Sequence, residues 1–327
     1  ILLQVILFLG TVISIIGLLQ YLKIYSFWGS FSGMASFGFG NPNFYSTFAI
    51  MFAGIAMAGF WLYEEKSDVF HPYTWWKKGI WFIFSIFSFI ACLASRCVVS
   101  YVGIIMMFLL MIFLAIVGKK KRYIRILIMI VSFLFVMFLL NSLSDGRVYA
   151  EFTKTFQEIE QEGSVFGDSV GTNRMKKWKE IVALLPTYWL YGCGIEHLGY
   201  VHLFTYGLGS EFEIVDKAHN EYLDLWVTRG IVVIVFYLIF LFALFIPGIM
   251  QYIKKKCYET DDIKLVLIFP FFGYIAQAFF NISILPVAPI FWLICGLLVM
   301  GKTSEEECKE LFGESEKEEK ISIIKEE

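Results

Sequence analysis

The chain has 327 residues, 58% of them hydrophobic and 19% aromatic, while Asp, Glu, Lys and Arg make up 17% and the formal net charge is -2. That mixture excludes an ordinary soluble globular domain. The charges sit in loops and tail, so nothing in their balance points to nucleic acid. The six Cys are scattered with no CxxC or CxxxC pair, which argues against a disulfide framework or a zinc site, and no cofactor is expected.

The chain opens on Ile1, already inside an apolar run, and reads as a fragment with further spans upstream. Apolar runs of about twenty residues can cross the hydrocarbon core of a bilayer. They predict spans over 2–22, 44–63, 79–94, 97–118, 124–141, 226–250, 263–281 and 284–300. The expected fold class is therefore all-α, a polytopic integral membrane protein of about eight transmembrane helices. Its expected divisions are N-terminal spans (1–141), one large hydrophilic segment (142–225), C-terminal spans (226–300) and a charged tail (301–327).

Basic residues in short loops favour the cytoplasm. The stretch "KKKRYIR" (119–125) carries five Lys or Arg in seven residues, so it is expected inside. Alternation then puts 142–225 outside, "KKK" (254–256) inside and the tail inside. Walking backward, it puts the Arg96 turn outside, Lys77-Lys78 inside and the segment 29–43 outside.

Four features fall on the expected outer side. In "SFGFGNPNF" (36–44) the glycines and Asn41-Pro42-Asn43 read as a turn. Arg96 sits at the tip of a predicted helical hairpin, as a snorkelling turn residue or an anion ligand. In "RMKKWKEIVALL" (174–185) helical spacing puts Trp178, Ile181, Val182 and Leu185 on one face, with Arg174 on it too. An Arg there either snorkels to lipid phosphates or meets an anion. In "KAHNEYLDLW" (217–226) His219 forms a helical stripe with Tyr222, Leu223 and Trp226, beside Asn220 and Asp224. It is either part of an aromatic belt or a proton acceptor. In an unbroken helix it would stand about 18 Å above Ile231. Two arginines and a His on one membrane face suit a lipid linked through a diphosphate.

Three segments, in order, resemble the O-antigen ligase and Wzy-type polymerase superfamily of bacterial envelope enzymes. They are "ASRCVVSYVGIIMMFLLM" (94–111), "NRMKKWKEIVALLPTYWLYGCGIEHL" (173–198) and "AHNEYLDLWVTRGIVVIVFYLIFL" (218–241), with "FGNPNF" (39–44) upstream. The resemblance covers roughly residues 36 to 250. It implies a metal-independent membrane glycosyltransferase of the GT-C type in the bacterial cytoplasmic membrane. Its donor would be a polyprenyl-diphosphate-linked oligosaccharide and its acceptor a glycan or lipid hydroxyl on the outer face. Membrane lipids and a polysaccharide-assembly complex would be its partners. By the resemblance, Arg96 and Arg174 hold the diphosphate and His219 is the base or acceptor-orienting group. Asn220, Asn43, Asn41, Trp178, Gly194 and Arg229 are expected around the substrate. Thr228-Arg229-Gly230 departs from the family's acidic residue at this place, and 149–171 matches no known element. Extension of a repeat-unit polysaccharide is the first reading, and delivery of glycan to lipid or protein the second. A lipid-linked oligosaccharide exporter would need polar residues along its spans, and these spans supply few. A non-catalytic envelope protein would use the same Arg and His only as anchors.

Overall fold

The computed structural model describes residues 2–24, 33–62, 75–117, 122–171, 173–207, 215–253, 261–283 and 285–299. The predicted basic clusters at 119–121 and 254–256 and the tail 301–327 lie outside the described residues.

The apolar runs become helices. These are α1 (Leu2–Tyr21), α2 (Pro42–Leu62), α3 (Trp75–Ala94), α4 (Val98–Val117) and α5 (Tyr123–Leu143) in the first part of the chain. After the hydrophilic segment come α10 (Ile231–Ile253), α11 (Asp261–Gln277), a 3-10 turn (Ala278–Phe280) and α12 (Ala288–Val299). Between the two groups lie α6 (Arg147–Glu162), α7 (Arg174–Tyr188), α8 (Leu198–Tyr206) and α9 (Glu221–Arg229). Among the described residues, four stretches are long and apolar enough to cross a membrane: Pro42–Leu62, Val98–Val117, Tyr123–Leu143 and Ile231–Met250. Four further apolar stretches, Val5–Tyr21, Gly79–Ala94, Lys264–Phe280 and Ala288–Val299, are shorter. The chain is a helical membrane protein.

Helix α2 is the centre. Its residues from Tyr45 to Leu62 are all buried, and it packs against α1, α3, α4, α5 and α11. Lipid tails are as apolar as Leu, so close packing has to hold such helices together, and small residues allow it. Ala49, Ala53, Ala56 and Ala58 supply them here. Helices α5 and α10 are the contrast: most of their spans remain on the surface of the bundle. At one end α2 and α11 are joined by polar groups. The Asn281 amide donates to the Asn43 carbonyl (3.1 Å) and to the Thr47 hydroxyl (2.9 Å), which donates to Gln277 Oε1 (3.2 Å).

The stretch 149–171, unassigned from sequence, is largely the amphipathic α6. It is anchored by its buried Val148, by Phe152 stacked on Tyr101 of α4 at 4.7 Å, and by Arg147. The Arg147 guanidinium donates to the carbonyls of Tyr21 (2.7 Å) and Ser144 (3.0 Å). Helix α6 therefore ties the ends of α1, α4 and α5, the end where the candidate residues gather.

The predicted span 226–250 starts later than expected because the chain breaks at Gly230 (φ 84°). A Cβ there would lie 2.0 Å from the Leu190 carbonyl oxygen, and one at Gly192 would lie 2.2 Å from the carbonyl carbon of Thr228. The two glycines let segment 189–194 lie directly on the α9–α10 joint. The Cys193 and Gly194 amides donate to the carbonyls of Val227 and Thr228, and Ile231 donates to Trp189. The condition of an unbroken helix from His219 into the span is not met, because of this joint.

Candidate active site

Arg96 occupies the three-residue turn between α3 and α4 in a left-handed conformation (φ 54°). Its Nη2 donates to Oε1 of Glu151 on α6, with both side chains 16% exposed. Its Nε is buried with no hydrogen-bond partner. The next residue, Cys97, is pushed up to about 11 by burial, opposed by hydrogen bonds from Ser95 and Ser46 and by the charge of Arg174. The Cys97 thiol thus stays neutral beside the two guanidiniums.

Arg174 is the first residue of α7, behind Asn173 in a left-handed conformation (φ 63°). A cation at a helix N-terminus opposes the helix dipole, and burial holds this guanidinium below its ordinary value. Both effects are unfavourable for the guanidinium by itself, and both are relieved by a bound anion. Arg174 lies within electrostatic range of Cys97, the last residue of the turn that carries Arg96.

Trp178 stands one turn further along α7, and its indole N–H donates to the carbonyl of Ala218 at 2.9 Å. Residues four apart on a helix are neighbours on one face. Through Arg174 and Trp178, α7 therefore stands within electrostatic range of the Arg96 turn and is hydrogen-bonded to the peptide that leads into His219. On that face Ile181 and Leu185 are buried as predicted, whereas Val182 is 51% exposed.

His219 does not lie on a helical stripe. It adopts φ 50° and precedes Asn220, which is the N-cap of α9 and accepts from the amides of Tyr222 and Leu223, both at 3.1 Å. Ala218 is held from two sides, since its amide donates to Asp224 Oδ1 at 3.0 Å while its carbonyl accepts from Trp178. Asp224, largely buried, is raised above the usual carboxylate range by desolvation, partly offset by that same amide. Glu221, the first residue of α9, is 7% exposed and accepts from two phenols, Tyr237 of α10 (2.6 Å) and Tyr274 of α11 (2.9 Å).

The other expected substrate residues divide. Asn41 caps α2, its side chain accepting from the Asn43 amide at 2.8 Å, with Pro42 at the first helical position. The Asn43 carbonyl is taken up by Ser46, Thr47 and Asn281. Both asparagines thus build the end of α2, whose Ser46 reaches Cys97. Gly194 and Arg229 lie at the other end of α9 from His219, at the joint, where the exposed Arg229 suits the helix C-terminus.

A groove of about 450 Å³ runs from this site along α9 and α10, lined by Trp178, Val182, Asn220, Leu223, Trp226 and Val235 among others. Its lining is almost wholly apolar, with Asn220 among it.

Residues 82–238 match a family model, the O-antigen ligase domain. The match supports the O-antigen ligase and polymerase superfamily. No curated protein and no solved structure matches it. The O-antigen ligase domain runs from α3 into α10 and contains Arg96, Glu151, Arg174, His219, Glu221 and Tyr237. Asn41, Asn43 and Tyr274 stand outside it. Glu151 and Glu221 were not expected from sequence. Glu151 carries no local signal, and an acidic first-turn residue such as Glu221 ordinarily serves the helix dipole in water.

Proposed function

We propose that this O-antigen ligase domain is a multi-pass GT-C-type glycosyltransferase that moves a glycan from a polyprenyl diphosphate to an acceptor hydroxyl, with α6–α9 on the outer face of the membrane. Its first role is extension of a repeat-unit surface polysaccharide. Delivery of the glycan to a lipid or protein would be the same chemistry with another acceptor. The observation that carries the reading is the convergence on α7: Arg174 lies within electrostatic range of the Arg96 turn while Trp178 holds the residue before His219.

In the proposed step the acceptor oxygen forms a bond to the anomeric carbon as the bond from that carbon to the diphosphate oxygen breaks. The acceptor proton passes to His219. The negative charge leaves on the polyprenyl diphosphate, where Arg174 and Arg96 stabilise it as it develops. Charge neutralisation is assigned to the guanidiniums, and no metal ion is given a role. Arg96 already holds Glu151, so donor binding there exchanges one anion for another. The apolar groove that Asn220 helps to line suits the hydrocarbon of the carrier.

Single substitutions Arg96→Ala, Arg174→Ala and His219→Ala test this in cells that depend on the protein for surface glycan. Each is expected to abolish that glycan while protein level and membrane insertion stay normal. Wild-type glycan from all three would sink the catalytic reading.

A further inference from the structure

Burying a carboxylate costs free energy unless hydrogen bonds replace its water. Glu221 is such a group, and its two oxygens are met separately, Oε1 by Tyr237 and Oε2 by Tyr274. The charged groups that act on it, Asp224 and Arg229, belong to its own helix. From α10 and α11 the groups that meet it are the two phenols, and the Cys295 thiol feels its charge from α12. A Leu at this place would fill similar space and deprive both hydroxyls of the Glu221 carboxylate. The fork therefore does something that packing alone does not: it fixes both the rotation and the depth of the α9 N-terminus against two spans.

Tyr222, the next residue, repeats the tie, donating to the Ile275 carbonyl of α11 at 2.7 Å and lying 4.5 Å from the ring of Phe279. Tyr274 is itself set by stacking on Phe291 of α12 at 3.9 Å. His219 stands two residues before Glu221. Its flanking peptides are fixed to the α9 frame by the Asn220 cap and by Asp224. Arg96 and Arg174 stand on other elements. The place of His219 relative to them depends on how the α9 frame is held in the bundle, and Glu221 and Tyr222 are its polar ties to α10 and α11.

We propose that Glu221 is a positioning residue for His219: clasped by Tyr237 and Tyr274, it sets where the first turn of α9, and His219 with it, stands relative to the arginines. The proposal rests on the transferase reading above. Misplacing a reacting group by an ångström costs about 100-fold in rate, with little effect on groups that bind elsewhere.

The test uses the full chain reconstituted in lipid, with a radiolabelled polyprenyl-diphosphate oligosaccharide as donor. Glu221→Ala should lower kcat about 100-fold and leave the donor KM within about twofold. Glu221→Gln keeps one acceptor oxygen and should recover about tenfold of that loss. In a His219→Ala background, read by single turnover, Glu221→Ala should add less than about twofold, because a residue that acts through His219 has nothing left to position. Three outcomes overturn the proposal: unchanged kcat, a loss confined to donor KM, or an undiminished loss in the His219→Ala background. If Glu221→Ala fails to accumulate, the Tyr237→Phe/Tyr274→Phe pair, which keeps shape and removes both donors, must show the same kcat-only loss, and its absence overturns the proposal. No transfer by the wild type would overturn the function reading and this proposal with it. Transfer by the wild type with an unaffected Glu221→Ala overturns this proposal alone.

Discussion

The Trp178 indole N–H donates to the Ala218 carbonyl across 2.9 Å, joining the first turns of α7 to the residue that precedes His219. Forty residues of chain separate the two, so the bond closes the loop that carries α8. Replacing Trp178 with Phe removes the donor and keeps an aromatic ring against Phe280, 5.9 Å away. The net worth of such a bond is about 1 kcal/mol. Trp178→Phe is expected to lower kcat about tenfold, with the donor KM within about twofold and the fold intact. A steady-state transfer assay beside a thermal melt checks it. A rise in KM with kcat unchanged would place Trp178 on the donor instead.

The Arg96–Glu151 pair predicts a change of the opposite sign. If the donor diphosphate has to replace Glu151 on the guanidinium, removing that carboxylate's charge favours the donor. Glu151→Gln is expected to lower the donor KM about fivefold, a modest figure because partly exposed pairs are screened by solvent. Inorganic pyrophosphate, as a competitor, should gain by a similar factor. A raised KM would show that Glu151 orients Arg96 for the substrate.

Gly230 makes a structural prediction. Its φ of 84° and the Leu190 oxygen 2.0 Å from a would-be Cβ leave no room for a side chain. Gly230→Ala is expected to destabilise the protein by more than about 2 kcal/mol. Gly79→Ala, where an added Cβ meets nothing within 4 Å, is the control and should melt as the wild type does. Thermal unfolding in detergent compares them.

Cys97 supplies the pH dependence. Only the thiolate alkylates readily. With the thiol pushed up to about 11, chiefly by burial, its thiolate fraction at pH 8 is small. Relative to a thiol of ordinary value, alkylation at pH 8 should be about 100-fold slower. The rate should rise as pH approaches 11, the direction in which the proton is lost. Peptide-resolved mass spectrometry of iodoacetamide-treated protein follows Cys97 among the other cysteines. Fast labelling at pH 8 would contradict the raised thiol.

The apolar runs located the helices well. The predicted spans 44–63, 97–118 and 124–141 appear as Pro42–Leu62, Val98–Val117 and Tyr123–Leu143. Hydropathy is a local property, and a helix in lipid satisfies its own backbone. The failures were non-local. Gly230 was visible at the head of a span, but the break depends on the Leu190 oxygen, forty residues back in the chain. His219 fitted a helical period on paper, whereas the structure starts the helix at Glu221 because Asn220 caps it. Glu151 and Glu221 carry no signal of their own in the sequence, and their roles come from partners on other elements. Glu180 of α7 likewise pairs with the buried His202 at 2.9 Å, a partner 22 residues away in the chain.

The turn that carries Arg96 has only three residues between Ala94 and Val98. In the proposed orientation that turn lies on the side away from the ribosome. So tight a corner cannot be threaded across after α3 has settled, because α3 and α4 leave no slack between them. The two must enter the bilayer together as a hairpin, with Arg96 leading. Carrying one arginine through the centre costs about 2.5–3.5 kcal/mol, which two long apolar helices offset. A second charge in the corner would raise that cost during synthesis, before the protein has folded or met its substrate. Biogenesis therefore restricts the composition of this corner independently of any part that Arg96 plays in transfer.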